Sequence, residues 1–346
     1  MKNLLFFTSP IGLGHATRDV AIASRLRQYL NKLTFVSGQG ASKLISDNEF
    51  DALDLYRHYG FDISNGEFKN KLRWLLKYLA YHNECKKIAK NVITGLKPDL
   101  IIGDEDYAAV TVAEKLKMPR VLITDIFDIH FTKGLIGRLV ENRMNKALQR
   151  IFRNSDLVII PYLGTDYDNV VFVGSIVRDV STDRNSLRKR FGFAGKTILV
   201  TVGGTNAGAF LIGEVLGAFD KIKSKCDANL VIVNGPSLSL DTNQERVLSL
   251  GYVSNLHEMI YACDLLVSLA GRSTSDEAVA YGTPSIFIPI KGHFEQEENA
   301  KKFGFSFDDI YRLDELMLEK LNYDRQMVKI SNGADKAANL ILNLLT

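Results

Sequence analysis

The chain has 346 residues, 46% of them hydrophobic and 24% charged, with a formal net charge of +3. That length accommodates two ordinary domains with separate cores, and the apolar content excludes a disordered chain. The small net charge gives no sign of nucleic-acid binding by itself, and no apolar run approaches the roughly 18–20 residues that span a bilayer.

The first apolar run, Leu4–Phe7, ends at Thr8-Ser9-Pro10 and passes into a glycine-rich turn, so it reads as a buried strand and not a signal peptide. Further short apolar runs follow at Leu33–Val36, Leu100–Ile102, Val121–Ile123, Leu157–Ile160 and Val170–Val173. After a charged interval come Thr197–Val202, Leu230–Val233, Leu265–Leu269 and Ser285–Ile288. Nearly continuous apolar strands suit a parallel sheet covered on both faces. With amphipathic stretches between them, the expected class is α/β, doubly wound. The polar segment Arg178–Ala194 interrupts this rhythm, and a strand-then-glycine pattern occurs on either side of it, at Phe6–Gly14 and Val200–Gly208. Two Rossmann-like domains are therefore expected, 1–177 and 178–324, with 325–346 a candidate to pack back on the first. The alternative is one large sheet with an exposed helix at the charged interval. Three scattered cysteines, Cys85, Cys226 and Cys263, supply neither a disulfide framework nor a CxxC metal site, which suggests a reducing, cytoplasmic setting.

The first glycine loop runs Ser9-Pro10-Ile11-Gly12-Leu13-Gly14-His15 into a helical pattern. Gly12 and Gly14 allow a tight turn that brings backbone amides near a ligand. The loop lacks the third glycine of a dinucleotide fingerprint and the Gly-Lys-Ser/Thr of a P-loop. His15 at its mouth is a candidate base for an acceptor hydroxyl, or else a helix cap or a partner of a backbone carbonyl. Asp104, just after the strand Leu100–Ile102, is a candidate to orient His15 or to act as the base. The second loop, Gly203-Gly204-Thr205-Asn206-Ala207-Gly208, has the small and hydroxylated side chains that suit a close approach to phosphate.

The densest constellation lies between residues 250 and 300. Ser268-Leu269-Ala270-Gly271-Arg272-Ser273-Thr274 ends a strand and opens a helix, offering amides and two hydroxyls to a diphosphate. Glu277 is placed to take two ribose hydroxyls, or to close a capping box with Thr274. Glu295 and Gln296, at a further strand-to-helix turn, pair an acceptor with a group that both donates and accepts, as sugar hydroxyls require; a solvated acidic helix start is the alternative.

This order of motifs resembles the two-domain GT-B glycosyltransferases, and most closely their MurG-like branch, which contains the bacterial N-acetylglucosaminyltransferase completing the lipid-linked peptidoglycan precursor. Four elements carry the likeness: Gly12–His15, Gly174-Ser175-Ile176-Val177-Arg178, Gly203-Gly204-Thr205, and AGRSTSDEAVAYGTPSIFIP with the EQEENA that follows. The resemblance spans nearly the whole chain and is weak from about Asp47 to Pro98. It implies that Val253 meets the donor base through its backbone and that Leu256 packs beside it. It implies that Gly271, Arg272, Ser273 and Thr274 hold the diphosphate, Glu277 the ribose, and Glu295 and Gln296 the sugar. Asn299 would support that last turn, and Arg178 would reach a phosphate. It implies a uracil base and inverting transfer, in a cleft between the two halves. The first loop is shorter in glycine than the family's usual run, and Arg272 replaces an often small residue.

The expected activity is thus transfer of a sugar from a UDP-sugar to an acceptor hydroxyl, with no cofactor and no metal. Two D-x-D strings, Asp104-Glu105-Asp106 and Asp166-Tyr167-Asp168, lie away from the donor block. The acceptor is expected to be a small molecule or lipid-linked. Phe68, Leu72, Leu75, Leu76 and Leu79 recur at helical spacing beside Lys69, Lys71, Arg73 and Lys77. Between Phe127 and Arg153 six Lys or Arg stand against two acids. Such helices suit peripheral contact with the inner face of an anionic membrane, or an ordinary packing of apolar faces onto the first sheet. Rival activities are a nucleotide-sugar hydrolase, since Ile11-Gly12-Leu13-Gly14-His15 followed by Arg18-Asp19 also resembles the UDP-sugar hydrolases of sialic-acid-like sugar biosynthesis, and a non-catalytic nucleotide-sugar binder.

Overall fold

A computed structural model describes residues 2–58, 60, 63–69, 71–127, 135–203, 208–235, 244–326 and 331–345. The chain divides into two compact units: Met1–Gly60 with Asn70–Val177 and Ser331–Thr346, and Phe61–Lys69 with Arg178–Ile330.

The first unit is built on a seven-stranded sheet. Its strands are β1 (Lys2–Thr8), β2 (Leu30–Ser37), β3 (Asp51–Asp54), β6 (Leu100–Asp104), β7 (Arg120–Ile123), β8 (Leu157–Ile160) and β9 (Val170–Phe172), in the order β3-β2-β1-β6-β7-β8-β9. All pairings are parallel. Leu4 lies opposite Leu33 on one side and Leu100 on the other, which makes β1 an interior strand and explains its uninterrupted apolar run. The Phe6 and Phe35 rings stack at 5.0 Å within that core. Strand order reverses between β1 and β6, and at such a switch point the loops at the carboxyl ends part to leave a crevice.

Helices α1 (Gly14–Leu26), α2 (Gln39–Asp47), α3 (Lys71–Leu96), α4 (Tyr107–Lys115) and α5 (Leu135–Asn154) connect these strands. The last helix, α12 (Gly333–Asn343), packs against α1. Its start is fixed by Asn332, whose side chain accepts from the Ala334 amide at 3.0 Å and donates to the Val177 carbonyl at 2.8 Å. A Cβ on Gly333 would stand 2.5 Å from the Gly174 carbonyl oxygen, so only glycine permits this approach. Arg25 of α1 bonds Asp335 of α12.

The second unit carries a five-stranded parallel sheet. It comprises β10 (Lys196–Thr201), β11 (Ala228–Val233), β12 (Val247–Ser249), β13 (Leu265–Leu269) and β14 (Ser285–Ile288), ordered β12-β11-β10-β13-β14. Its switch point lies between β10 and β13. The polar segment after Arg178 is part of this unit and holds α6 (Arg184–Phe191). Asp183 caps α6 by accepting from the amides of Asn185 and Ser186, and Leu187 is its one buried side chain. Arg184 and Arg188 both bind Asp264, which seats the helix. The remaining helices are α7 (Ala209–Ile222), α8 (Leu256–Ala262), α9 (Arg272–Ala280), α10 (Phe294–Lys302) and α11 (Leu313–Lys320).

One piece of this unit comes from far upstream in sequence. Strands β4 (Ile63–Ser64) and β5 (Glu67–Phe68) form an antiparallel hairpin around Asn65-Gly66, both with left-handed backbone (φ 47° and 73°). An Asn-Gly pair is the preferred chemistry for that turn.

Among the described residues, no helix is long and apolar enough to cross a membrane. The two basic helices divide their apolar residues. On α3, Tyr81, Cys85, Ala89 and Ile93 are buried in the core, whereas Leu76 and Leu79 are exposed alongside Arg73 and Lys77. On α5, Leu148 is buried and Leu139 is exposed between Arg138 and Arg143. The side chains of Phe68, Leu72 and Leu75 lie outside the described residues.

Candidate active site

In the first unit, titratable groups gather at the switch point between β1 and β6. β1 leads into Gly12 (φ 82°) and α1, whose second residue is His15. The helix is capped at Leu13 without a side-chain bond, so His15 is not a cap. Its ring turns toward β6: Nδ1 lies 3.0 Å from Asp104 Oδ1 and 3.0 Å from an Arg18 guanidinium nitrogen. Arg18 stands one turn further along α1, on the same face. It grips both Asp104 oxygens, with Nε to Oδ2 at 2.5 Å and Nη2 to Oδ1, and reaches Asp125 Oδ2 at 3.3 Å.

These contacts separate the roles of the two candidates. Asp104 is fully buried, and both its oxygens are occupied. Burial favours its neutral form, but the charges of Arg18 and then His15 outweigh this and hold its pKa well below the usual carboxylate range. A carboxylate so held is a poor general base and a good anchor. Donation from His15 Nδ1–H to Asp104 leaves a lone pair on Nε2. The ring keeps partial exposure, and Nε2 is the nitrogen left to act on a substrate.

Glu105 is the neighbour that sequence reading passed over. It adopts left-handed backbone at the end of β6 (φ 47°), which aims its carboxyl at the same cluster. Its Oε2 lies 3.6 Å from His15 Nε2 and its Oε1 4.0 Å from Arg18. Burial, and next the facing Asp125, push the Glu105 pKa well above its ordinary range. Beneath it, Asp19 accepts from Thr8 Oγ1 at 2.7 Å, while its Oδ1 has no partner among the described residues. Burial and the adjacent Asp104 raise its pKa as well. Both raised carboxyls hold their protons more tightly in the folded chain than in the unfolded one.

A group of this kind contributes its full stability below its unfolded pKa, and the contribution is lost as pH rises through the folded value. Glu105→Gln, neutral at every pH, removes that loss. Its melting temperature relative to wild type is expected to climb between about pH 4, near the ordinary glutamate pKa, and pH 8. A difference that stays flat with pH would contradict the raised pKa of Glu105.

The two D-x-D strings have other duties. Asp106 caps α4 through the Ala109 amide at 2.8 Å and accepts from Tyr56 at 2.6 Å, while Asp104 serves His15 and Arg18. Asp166 accepts from the Phe172 amide at 2.7 Å and pairs with Lys336.

In the second unit, the loops at the switch point follow β10 and β13. Gly203 after β10 has φ 74° and open space where a Cβ would stand. Gly204 and Thr205 lie outside the described residues. After β13 the chain passes through Ala270 and Gly271 into α9, with Gly271 as N-cap and no side-chain cap bond. Arg272, Ser273 and Thr274 thus form the first turn, where amides point out of the helix. Glu277 comes in the second turn, not the first, and it closes no capping box with Thr274.

Arg178 and Glu277, two of the expected donor ligands, are paired with each other. Arg178 donates to both Glu277 oxygens, Nε at 2.9 Å and Nη2 at 3.3 Å, and through Nη1 to the Ser254 carbonyl at 3.0 Å. Both side chains are buried, with 6% and 2% of their surface accessible. The Tyr281 hydroxyl fixes the Arg178 carbonyl at 2.7 Å. The guanidinium is thus engaged by Glu277 and the Ser254 carbonyl, and it orients the Glu277 carboxylate.

Around this pair, Val253 and Leu256 are half-buried, Leu256 being the first residue of α8. Glu295 and Gln296 occupy the first turn of α10 and are half-buried. Gln296 Oε1 accepts from the Ile290 amide at 3.1 Å, which commits its oxygen to the preceding loop. Asn299 is buried. It donates to the Ala270 carbonyl at 3.1 Å and to Ser275 Oγ at 2.9 Å, so it ties α10 to the start of α9.

Residues 197–334 match the family model of the glycosyltransferase family 28 C-terminal domain. The glycotransferase of kitacinnamycin shares the fold over 99% of both chains, with a TM-score of 0.70 at 14% identity. Two parallel-sheet α/β units, the second matching that model, define a glycosyltransferase of GT-B fold. Its relatives in sequence include N-acetylglucosamine transferases of the MurG type and uncharacterized glycosyltransferases. The chain is 24% identical over 360 residues to the UDP-N-acetylglucosamine–N-acetylmuramyl-(pentapeptide) pyrophosphoryl-undecaprenol N-acetylglucosamine transferase of Caldicellulosiruptor saccharolyticus, covering 93% of this chain and 90% of that one. It is 27% identical over 220 residues to an uncharacterized glycosyltransferase of Methanopyrus kandleri, covering 59% and 60% of the two chains.

Proposed function

We propose that the chain transfers a hexose or N-acetylhexosamine from its UDP derivative to an acceptor hydroxyl, with inversion and without a metal. The carrying observation is the match of residues 197–334 to a glycosyltransferase domain, with the first turn of α9 at the switch point of that unit. In this reading Gly271, Arg272, Ser273 and Thr274 hold the diphosphate, together with the loop of Gly203, Gly204 and Thr205. Glu277, oriented by Arg178, accepts from the ribose hydroxyls. The Val253 backbone and the Leu256 side chain meet the base, and Glu295 and Gln296 address the sugar, with Asn299 bracing α10. The Caldicellulosiruptor relative is named for a UDP-linked donor, which favours uracil.

The acceptor oxygen attacks the anomeric carbon on the face opposite the diphosphate. As that bond forms, the bond from carbon to diphosphate oxygen breaks, and its electron pair leaves on UDP. The acceptor proton passes to His15 Nε2, while Asp104 holds the ring through Nδ1. Charge growing on the leaving diphosphate is stabilised by the helix terminus and Arg272. A helix terminus contributes only about 0.3–1 kcal/mol when exposed, so exclusion of water must strengthen it.

A melting-temperature panel of nucleotides tests the donor. UDP and UDP-sugars at about 100-fold their Kd should stabilise the chain by about 2.7 kcal/mol, equally with and without EDTA. A shift that needs added metal, or none with any uridine nucleotide, would contradict the reading. A lipid-linked acceptor at the inner membrane face fits the exposed Leu76, Leu79 and Leu139 on basic helices. Flotation with anionic vesicles that fails even at low salt would count against it.

A further inference from the structure

The hairpin of β4 and β5 leaves the first unit at Gly60 and returns to it at Asn70, yet it belongs with the second. Gly66 at its tip is buried. A Cβ there would stand 2.8 Å from the Phe210 ring and 2.9 Å from the Phe307 ring, so the bare backbone is wedged between two aromatics. Its carbonyl accepts from the Lys291 amide at 2.8 Å, and Glu67 continues as a parallel bridge to Lys291. The side chains repeat the link: Lys291 Nζ lies 3.3 Å from Glu67 Oε1 and 5.5 Å from the Phe307 ring centre.

Both attachment points sit at the carboxyl edge of the second sheet. Phe210 opens α7 just after the glycine loop that follows β10, and Lys291 lies in the loop between β14 and α10. That loop is pinned from two sides. Gln296 takes the Ile290 amide, Glu297 takes the Gly292 amide at 2.7 Å, and the Ile290 carbonyl takes the His293 amide. The amide between them, that of Lys291, is satisfied by the hairpin. Glu295 and Gln296 follow at once, so the position of the loop sets theirs.

We propose that the hairpin 63–68 is a positioning element for donor-sugar recognition: by seating the Lys291 loop, Gly66 and Glu67 hold Glu295 and Gln296 at the sugar of a nucleoside-diphosphate hexose. This rests on the donor reading given under Proposed function. It separates two parts of one ligand, because the hairpin anchors the loop on which the start of α10 depends, whereas the first turn of α9 follows directly from β13.

The test compares the affinities of UDP and UDP-N-acetylglucosamine, or whichever UDP-sugar stabilises the wild type most, in the full chain. Gly66→Val needs a disfavoured φ and collides with both rings, so it should unseat the hairpin. It is expected to weaken UDP-sugar binding about tenfold and leave UDP within about twofold. Glu67→Ala removes partly exposed ion pairs to Lys291 and Lys69 and should weaken the sugar nucleotide about two- to threefold. In the wild type, amide exchange over 63–68 should slow more with UDP-sugar than with UDP, a readout that needs no variant. Equal losses for both ligands, or exchange that ignores the sugar, would overturn the proposal. A wild-type chain that binds UDP-sugar no better than UDP would also overturn it. One that binds neither would bring down the donor reading itself, and that outcome is visible before any variant is made.

Discussion

His15→Ala is expected to lower kcat about 10²- to 10⁴-fold with the donor KM unchanged, the signature of a lost general base. The size follows from the ring's surroundings. Nδ1 is committed to Asp104, so proton transfer falls on Nε2 alone. Asp104 shares its charge with Arg18, and so it stabilises a nascent imidazolium less than an unshared carboxylate would. Asp125, which also pairs with Arg18, supplies further negative potential, whereas Glu105, 3.6 Å from Nε2, has its pKa raised by burial and by Asp125 and adds little charge. A variant with near wild-type kcat would assign proton removal elsewhere. An unchanged kcat together with a raised donor KM would move His15 to the binding of substrate.

Glu277→Ala is expected to cost about 3–5 kcal/mol of stability, because it strands a buried guanidinium. Both members of the Arg178–Glu277 pair are largely buried, so solvent screens little of the loss. A second variant separates structure from binding. Arg178→Met combined with Glu277→Leu replaces the pair with apolar side chains of similar size and should recover much of that stability. The same double variant should fail to recover UDP affinity, since no carboxylate is left for the ribose. Melting curves with and without UDP read both quantities. If the repacked variant regains the full UDP shift, Glu277 holds the fold and not the nucleotide.

The fold class was legible because both sheets are parallel and covered. Strands buried along their length are largely apolar: Leu157–Ile160 without a break, Leu100–Asp104 up to its final Asp, and Leu265–Leu269 except for Ser268. The strands that escaped notice lie at sheet edges or outside the sheets. β3 exposes Asp51, Leu53 and Asp54, and β12 is three residues long and half-exposed, so neither shows a pattern. The hairpin around Asn65-Gly66 has two residues per strand, too few for any periodicity to register.

In the candidate site, sequence reading could find residues placed by local rules but not those placed by long-range pairing. His15 follows a glycine turn, and Asp104 ends a central strand, so both were visible. Arg18 sits one turn after His15, and that spacing was a usable signal for a partner on the same face. Asp125 follows the end of β7, beside β6, and the same strand-end rule would have reached it. Nothing local announces that Arg178 spends its charge on Glu277, since the two are 99 residues apart. An arginine near a phosphate motif reads as a phosphate ligand until its partner is seen.

The central claim is that the first turn of α9 grips the diphosphate of the donor. A crystal structure of the chain with UDP tests it most directly. The account predicts phosphate oxygens within hydrogen-bond distance of the amides of Arg272, Ser273 and Thr274, with the ribose hydroxyls on Glu277. A diphosphate lodged on another element, with α9 untouched, would contradict it.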